Sequence, residues 1–461
     1  MRDSKSEKSP FISGQPAPVT LNPSWESKLP PHDSSNGKGS VAGSAIAKLG
    51  RLEPKDKFLI VFFIFMLHGL GTLMPWNMFI TAKSYFEDFK FGANNTVPTE
   101  INYRTNFMQN MGFASQIPNV LFNWLNIFVN FGGDLTSRIV YSIIIEMVIL
   151  LVTIVLAMLD SSEWPGTFFW ITMVCIVLLN ICNGIYQNTI YGIVASLPIK
   201  YTGAVVLGSN ICGCFTTLMS ILCALIFDSK RTAAIYYFVT AILVLLLCFD
   251  SYFALPLNKF FRHYESISRS SEKKTDSKQQ LNVPYWAIFK KASPQLFNIF
   301  FTFFVSLSVF PAIQSSVHRS DPDFIVSDNY YVLITCFLTF NVCAMLGSLT
   351  TSWIQWPGPR FLWVPVVLRV VFIPLFVFCN YAPPDTIRSL AVYIDNDWIY
   401  WGIGILMAYS SGYLSSLGMM YAPQTVHTKY QTTAGMYAAA MLITGIFSGV
   451  MFSYLGPWFV V

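Results

Sequence analysis

Charge is scarce in this chain. Only 11% of its 461 residues are Asp, Glu, Lys or Arg, whereas a soluble domain carries about 25%. That shortage excludes an ordinary water-soluble globule. Catalytic signatures are also missing: there is no GxSxG elbow, no HExxH helix and no Walker loop. No enzyme and no cofactor are expected. The five His are scattered, and only His68 falls inside an apolar run, where a helix–helix hydrogen bond is the plainer reading. All nine Cys lie in apolar stretches: Cys175, Cys182, Cys212, Cys214, Cys223, Cys248, Cys336, Cys343 and Cys379. None sits in a loop and no CxxC pair occurs, so neither loop disulfides nor a metal centre is expected. Buried structural thiols are the reading instead. Residues 1–57 are polar, rich in Ser, Pro, Gly and Lys, and contain no short apolar run after a basic start. They read as a disordered cytoplasmic N-terminus rather than a signal peptide. The first span then inserts as an internal signal anchor.

Apolar surface is what the chain has in excess. Hydrophobic residues make up 54% and aromatic ones 16%, with 40 Phe and 12 Trp, and the mean hydropathy is +0.50. A bilayer-spanning helix needs about 20 mostly apolar residues. Eleven such runs are readable, near 58–82, 107–129, 139–159, 168–197, 203–227, 233–255, 296–317, 330–353, 362–380, 399–422 and 434–456. The chain is therefore expected to be an all-α polytopic membrane protein. The second run is diluted by Asn and the tenth by Ser and Gly.

Loop charge sets the orientation. Lys48, Arg51, Lys55, Lys57, Arg138, Lys200, Arg360 and Lys429 fall on one side, with the basic loop 256–295 (Lys259, Arg262, Lys273, Lys274, Lys290, Lys291). The opposite loops are more acidic: Asp160, Glu163, Asp321, Asp323, Asp328, Asp385, Asp395 and Asp397. A cytoplasmic N-terminus and an extracellular C-terminus follow. Asn94-Asn95-Thr96 is a glycosylation sequon in the first outer loop. The loop 256–295 separates helices 1–6 (residues 58–255) from helices 7–11 (296–461). Two helical bundles joined this way suit a rocking carrier, and a lipid-binding linker suits equally. The net charge of +5 reads as cytoplasmic loop bias, not nucleic-acid binding.

Polar residues inside the runs form stripes. In the first run, Leu73, Trp76 or Asn77, and Ile80 share a helical face, next to the helix breaker Pro75. Asn180, Asn183, Gln187 and Tyr191 form a second stripe, and Phe337, Asn341, Ala344 and Ser348 a third. Carboxamides beside aromatic rings would hold a polar, uncharged, ring-bearing solute. They would also glue helices together, and both readings stand at this level. Glu146 and Arg369 are ionisable residues within the runs. Arg369 reads as a structural charge or a gate. Glu146 reads as its partner, a proton site or a satisfied structural charge. Gly445-Ile446-Phe447-Ser448-Gly449 is a GxxxG better used within the molecule than between copies, and a monomer is expected.

Several of these segments resemble the equilibrative nucleoside transporter family. They are Leu70-Gly71-Thr72-Leu73-Met74-Pro75-Trp76-Asn77-Met78-Phe79-Ile80-Thr81-Ala82, Phe310-Pro311-Ala312, and Trp356-Pro357-Gly358 followed by Arg369 and Pro374. Cys379-Asn380-Tyr381, Ser411-Gly412-Tyr413-Leu414-Ser415-Ser416-Leu417 and Thr433-Ala434-Gly435 complete the set. The resemblance runs from about Phe58 to the C-terminus. It implies a major-facilitator-like arrangement of six and five helices around a central cavity, and transport down the gradient by alternating access. Leu73 and Trp76 would flank the base and Gln187 would bond to it. Gln116, Phe337, Asn341 and Ile446 would line the cavity, Asn77 would support the first helix, and Phe310 would sit near the inner cavity or gate. The family's eighth helix usually carries an Asp and, one turn later, an Arg that reach the ribose. Here those positions are Ala344 and Ser348. Losing both charges together strands neither, and Ser348 keeps one hydroxyl for a substrate.

The expectation is facilitative, sodium-independent transport of nucleosides, and of nucleobases if the ribose contact is weak. The alternative is a carrier of another small solute on the same scaffold, an organic cation or a nucleobase, with or without proton coupling. The expected partners are the solute and the bilayer. The plasma membrane is the default residence, with a lysosomal or other endomembrane site as the alternative.

Overall fold

Helix length and apolarity define the scaffold. The computed structural model describes residues 54–82, 85–91, 103–129, 134–161, 163–227, 229–273, 283–383 and 388–461. The N-terminal residues 1–53 and the sequon at Asn94 lie outside them. The described residues form helices joined by short connections; two isolated bridges, Val317 with Tyr381 and Cys379 with Ile394, are their β pairing.

Six long helices come first: α1 (Ile60–Thr81), α2 (Tyr103–Phe128), α3 (Leu135–Met158), α4 (Pro165–Val194), α5 (Ile199–Ile226) and α6 (Lys230–Ala254). A shorter helix, α7 (Lys259–Lys273), precedes α8 (Tyr285–Val309). Next come α9, in three consecutive pieces (Asp328–Val332, Leu333–Leu338, Thr339–Thr350), and α10 (Trp363–Leu368, Arg369–Val371, Phe372–Phe378). The last two are α11 (Asp397–Tyr421) and α12 (Gln431–Ser453). Among the described residues, eight helices are long and apolar enough to cross a membrane, and α10 is a shorter apolar one. The two long helices outside the eight, α2 and α11, are the Asn-diluted and Ser/Gly-diluted runs. Their polar residues are buried against neighbours: Asn119, Asn123 and Asn126 in α2, and Ser411, Ser415 and Ser416 in α11.

Local chemistry sets the helix ends. Asp134 accepts from Thr136 N at 3.1 Å to start α3. Asn396 accepts from Trp398 N and Ile399 N at 2.9 and 3.2 Å to start α11. Asp56 accepts from Val61 N and Phe62 N, both at 3.2 Å, and from the Tyr201 hydroxyl of α5 at 3.1 Å. Residues 54–57, expected to be part of a disordered tail, therefore include the cap of α1.

The loop read as 256–295 is shorter in fact. Its first part is the amphipathic α7, whose Phe260 ring meets Tyr201 at 5.1 Å and whose Phe261 ring meets Phe65 at 6.3 Å. Its last part already belongs to α8, which begins at Tyr285. Lys290, Lys291 and Pro294 make that first stretch look like loop. The lysines lie on the partly or fully exposed side, where a long stem covers apolar surface while the ammonium stays in water.

Close seams pair the helices. α1 packs along α5, α8 along α12, and α9 along α11, while α2 and α3 flank α4. Contacts between the first six and last five helices run from α2 and α4 to α12, and from α5 to α9 and α11. The GxxxG of α12 is one such seam: a Cβ at Gly449 would stand 2.6 Å from the Phe304 carbonyl of α8, and Gly445 lies as close to Phe300. The motif is thus used inside the molecule.

Candidate functional site

In α1, Pro75 withholds the amide that would bond one turn back. Met74, Met78 and Phe79 are buried at 0%, 0% and 1% exposure, while Leu73, Trp76, Asn77 and Ile80 are half-buried. The predicted stripe is thus the less tightly covered face. Asn77 Nδ2 donates to the Leu73 carbonyl at 3.0 Å and reaches Cys212 Sγ of α5 at 3.6 Å, bracing the helix at its breaker.

In α4 the second stripe is buried. Asn180 Nδ2 is spent on the Ile176 carbonyl at 2.9 Å. Both carboxamide atoms of Asn183 and the Oε1 of Gln187 have no hydrogen-bond partner, nor has the Oε1 of Gln116 on α2. Leaving such a group unpaired costs about 1–3 kcal/mol, so these atoms are the open valences of the region. The parallel helices α2 and α4 set their spacing. Gly184 lies against Asn119 and Asn126 against Asn188, at 2.9 Å. Gln116 therefore stands about two turns from Gln187 along the seam.

From the later helices, Phe310 at the end of α8 stacks on Phe340 of α9 with centroids 3.8 Å apart and meets Phe337 edge-on at 5.7 Å. That joins two expected residues. The cluster lies at the end of α8 far from α7. Asn341, half-buried, places its carboxamide against Gly213 of α5. Ile446 of α12 is also half-buried and packs on the same apolar cluster as Leu73 and Trp76.

Two expectations need correction. The sequence leads one to expect a Ser348 hydroxyl free for the substrate. In the structure it is 1% exposed and donates to the Gly412 carbonyl at 3.1 Å. It accepts from Asn210 Nδ2 at 2.6 Å and from Ser416 Oγ at 3.0 Å. One donor and two acceptors are all a hydroxyl has, so none is left for a solute in this conformation. Ala344 lies beside it where α9 meets Gly412 of α11 backbone to backbone. The expected pairing of Glu146 with Arg369 does not occur. Arg369 joins α10 to α8 and α11 through Thr302 O (2.7 Å), Ser306 Oγ (2.9 Å), Met407 O (3.0 Å) and Ser410 Oγ (3.1 Å). These contacts make it a structural cross-link. Glu146 in α3 is 0% exposed, and neither of its oxygens has a hydrogen-bond partner.

Sequence reasoning missed a polar chain across the bundle. Arg138, counted among solvated loop charges, is buried and donates to Asn126 O and Oδ1 at 3.2 and 3.0 Å. Asn126 donates on to Asn188, and Asn188 Nδ2 to the Met436 carbonyl of α12 at 2.8 Å. Nearby, Trp124 Nε1 donates to Thr444 Oγ1 of α12 at 2.9 Å. Asn188 directly follows Gln187 of the second stripe but points to a different face; the signal that could have found Arg138 is its place immediately before the apolar run 139–159. A cavity of about 850 Å³ opens beside this chain, lined by Asp134, Arg138, Glu265, Ser268 and Thr432 among others. Among the described residues no group of three His, Cys, Asp or Glu could hold a metal ion.

Comparisons with known proteins bear on the family and the fold. A family model described as nucleoside transporter matches residues 173–457. Human equilibrative nucleoside transporter 1 is 30% identical over 452 residues, which is 87% of this chain and 98% of the relative. Rat equilibrative nucleoside transporter 3 is 30% identical over 404 residues, 82% of this chain and 84% of its own. An Arabidopsis thaliana protein named equilibrative nucleotide transporter 1 is 27% identical, with 87% of each chain covered. The solved structure of XylE, a proton:xylose symporter of the major facilitator superfamily, superposes with a TM-score of 0.59 at 12% identity, covering 87% of both chains; the likeness is one of fold. A multi-pass helical membrane protein of this fold, with these relatives, is a transporter and not an enzyme. The chain belongs to the nucleoside transporter family.

Proposed function

We propose that this protein carries nucleosides, and nucleobases with them, down their gradients by alternating access. The observation that carries the reading is a half-buried Leu73–Trp76 face on α1 together with partnerless amide oxygens at Gln187 on α4 and Gln116 on α2. A ring wall and open hydrogen-bonding valences suit an uncharged heterocycle. Phe337, Asn341 and Ile446 contribute from the last five helices. The working architecture is eleven spans, α1–α6 and α8–α12, in a six-plus-five arrangement. The N-terminus is cytoplasmic, the C-terminus extracellular and Asn94 glycosylated. The protein acts as a monomer in the plasma membrane.

Purified protein in liposomes tests this. Labelled uridine and adenosine should enter saturably without a sodium gradient. Trp76→Ala should lower uptake at low substrate about tenfold, since loss of an aromatic stacking partner is worth about 1 kcal/mol or slightly more. Uptake unaffected by this variant would remove Trp76 from the path. Because Ser348 and Ala344 offer nothing to a ribose, free adenine and deoxyadenosine should compete with adenosine nearly as well as adenosine itself. Strict ribose selectivity would sink that part.

A further inference from the structure

Among the described residues, Glu146 is a buried acid that the site described above does not use. It is fully enclosed, and both carboxyl oxygens lack a partner. It is not isolated, because Cys182 and Tyr186 of α4 and Cys248 of α6 lie close enough to feel a charge placed there. Tyr186 Oη is in turn 2.7 Å from His68 Nδ1 of α1, whose Nε2 is buried without a partner. The His68 ring also packs edge-on against Tyr252 of α6 at 5.8 Å. Cys248 Sγ donates to the Leu67 carbonyl of α1 at 3.4 Å. The titratable groups facing the cluster are thus His68 from α1, Cys182 and Tyr186 from α4, and Cys248 and Tyr252 from α6. None of them is a fixed cation. A carboxylate in this setting would be an uncompensated buried charge, which costs several kcal/mol, so the neutral acid is the form this enclosure admits. An intramembrane ionisable group kept at such cost is a functional candidate.

Position gives the cluster its use. His68 lies just before the Leu73–Trp76 face on α1, and Tyr186 adjoins Gln187 on α4. The space beside Gly71 is filled by Cys248 Sγ and Tyr186 Oη. The cluster is therefore the backing of both helices that carry the proposed site. Rearrangement of α1 or α4 would open it to water, and only then could Glu146 lose its proton.

We propose that Glu146, with His68 and Tyr186, is a proton-binding site that links the carrier's conformational equilibrium to pH. In the conformation seen here Glu146 holds the proton. In the alternative one the carboxyl reaches water and releases the proton to it, leaving a carboxylate. Acid therefore favours the present conformation and alkali the other. This proposal borrows the nucleoside reading for its transport assay but not for its chemistry.

Two measurements on the full-length protein test it. The first is infrared difference spectroscopy in detergent. At neutral pH the wild type should show a protonated carboxyl band that Glu146→Gln lacks and that Tyr186→Phe shifts through His68. An ionised Glu146 at neutral pH overturns the proposal whatever the substrate. The second is nucleoside exchange in liposomes with equal pH on both sides. The wild-type rate should change severalfold between mildly acid and mildly alkaline pH. Glu146→Gln should exchange at a pH-independent rate, and Glu146→Asp should restore the dependence. The same pH profile in wild type and Glu146→Gln overturns the linkage and leaves a merely structural acid. If no labelled nucleoside exchanges at all, the nucleoside reading fails while the carboxyl band still decides the proton site.

Discussion

Lys90 illustrates how a single charge is settled at the rim of the bundle. Its amine donates to the Leu156 and Leu159 carbonyls at 3.2 and 2.7 Å, the orphan acceptors at the end of α3. It also sits 5.0 Å from the Phe168 ring centroid. Burial pushes the amine down to about 8, with the nearby Arg231 charge adding to the effect and Asp160 opposing it. An unfolded lysine titrates near about 10.4. Between those values the unfolded chain binds the extra proton, so this group's contribution to stability rises with pH. Thermal unfolding in detergent should accordingly show the wild type gaining on Lys90→Met as pH climbs through that window. A constant difference would mean that Lys90 keeps an ordinary amine. Ser348 makes a second residue-scale case. Ser348→Ala leaves Asn210 Nδ2 without its 2.6 Å acceptor on α9, and should cost about 1–3 kcal/mol of stability. Apparent affinity for a nucleoside should hardly move; a large rise in the half-saturation concentration would return Ser348 to the substrate.

At the scale of elements, the α8–α12 seam joins two of the last five helices closely. Gly445 and Gly449 let α12 approach the Phe300 and Phe304 carbonyls of α8. Gly445→Leu should destabilise the protein by about 1–3 kcal/mol through overpacking, seen as a lower unfolding temperature with the monomeric state unchanged. Dissociation of a dimer instead would make the motif an intermolecular contact. The Asn188–Met436 bond has a different character, since it joins α4 to α12 across the two groups of helices. Asn188→Leu should weaken that closure and raise the rate of exchange. No change in rate would make the bond incidental to the cycle.

For the whole molecule, each of the eleven apolar runs coincides with a helix, and eight of those helices are long and apolar enough to cross a bilayer. Run length was less informative where burial replaced lipid contact. α2 and α11 fall outside the eight because their Asn and Ser side chains are buried against neighbours, and a sequence window sees only the polarity. Arg138 was misread for a related reason: a charge at a helix start looks solvated until Asn126 is folded against it. The Leu73–Trp76–Ile80 face was legible because helical period alone puts those residues together. The filling of Ser348's hydrogen bonds was not, because Asn210 and Ser416 lie far away in the chain and meet it only through tertiary packing. The sequon makes a prediction at this scale as well. Asn94→Gln should migrate faster on a gel from glycosylating cells, and unchanged mobility would reverse the assignment of that loop to the outside.

The four hydrogen bonds of Arg369 all end on neutral oxygens. Dipoles spread a guanidinium's charge but do not cancel it, and a low-dielectric surrounding screens little of what remains. The interior around α8, α10 and α11 thus carries a standing positive potential. A protonated amine passing nearby would climb an electrostatic hill, while an uncharged solute would feel almost none of it. Were a solute to pass close to Arg369, this potential would weigh against a protonated amine ahead of any contact with a binding residue.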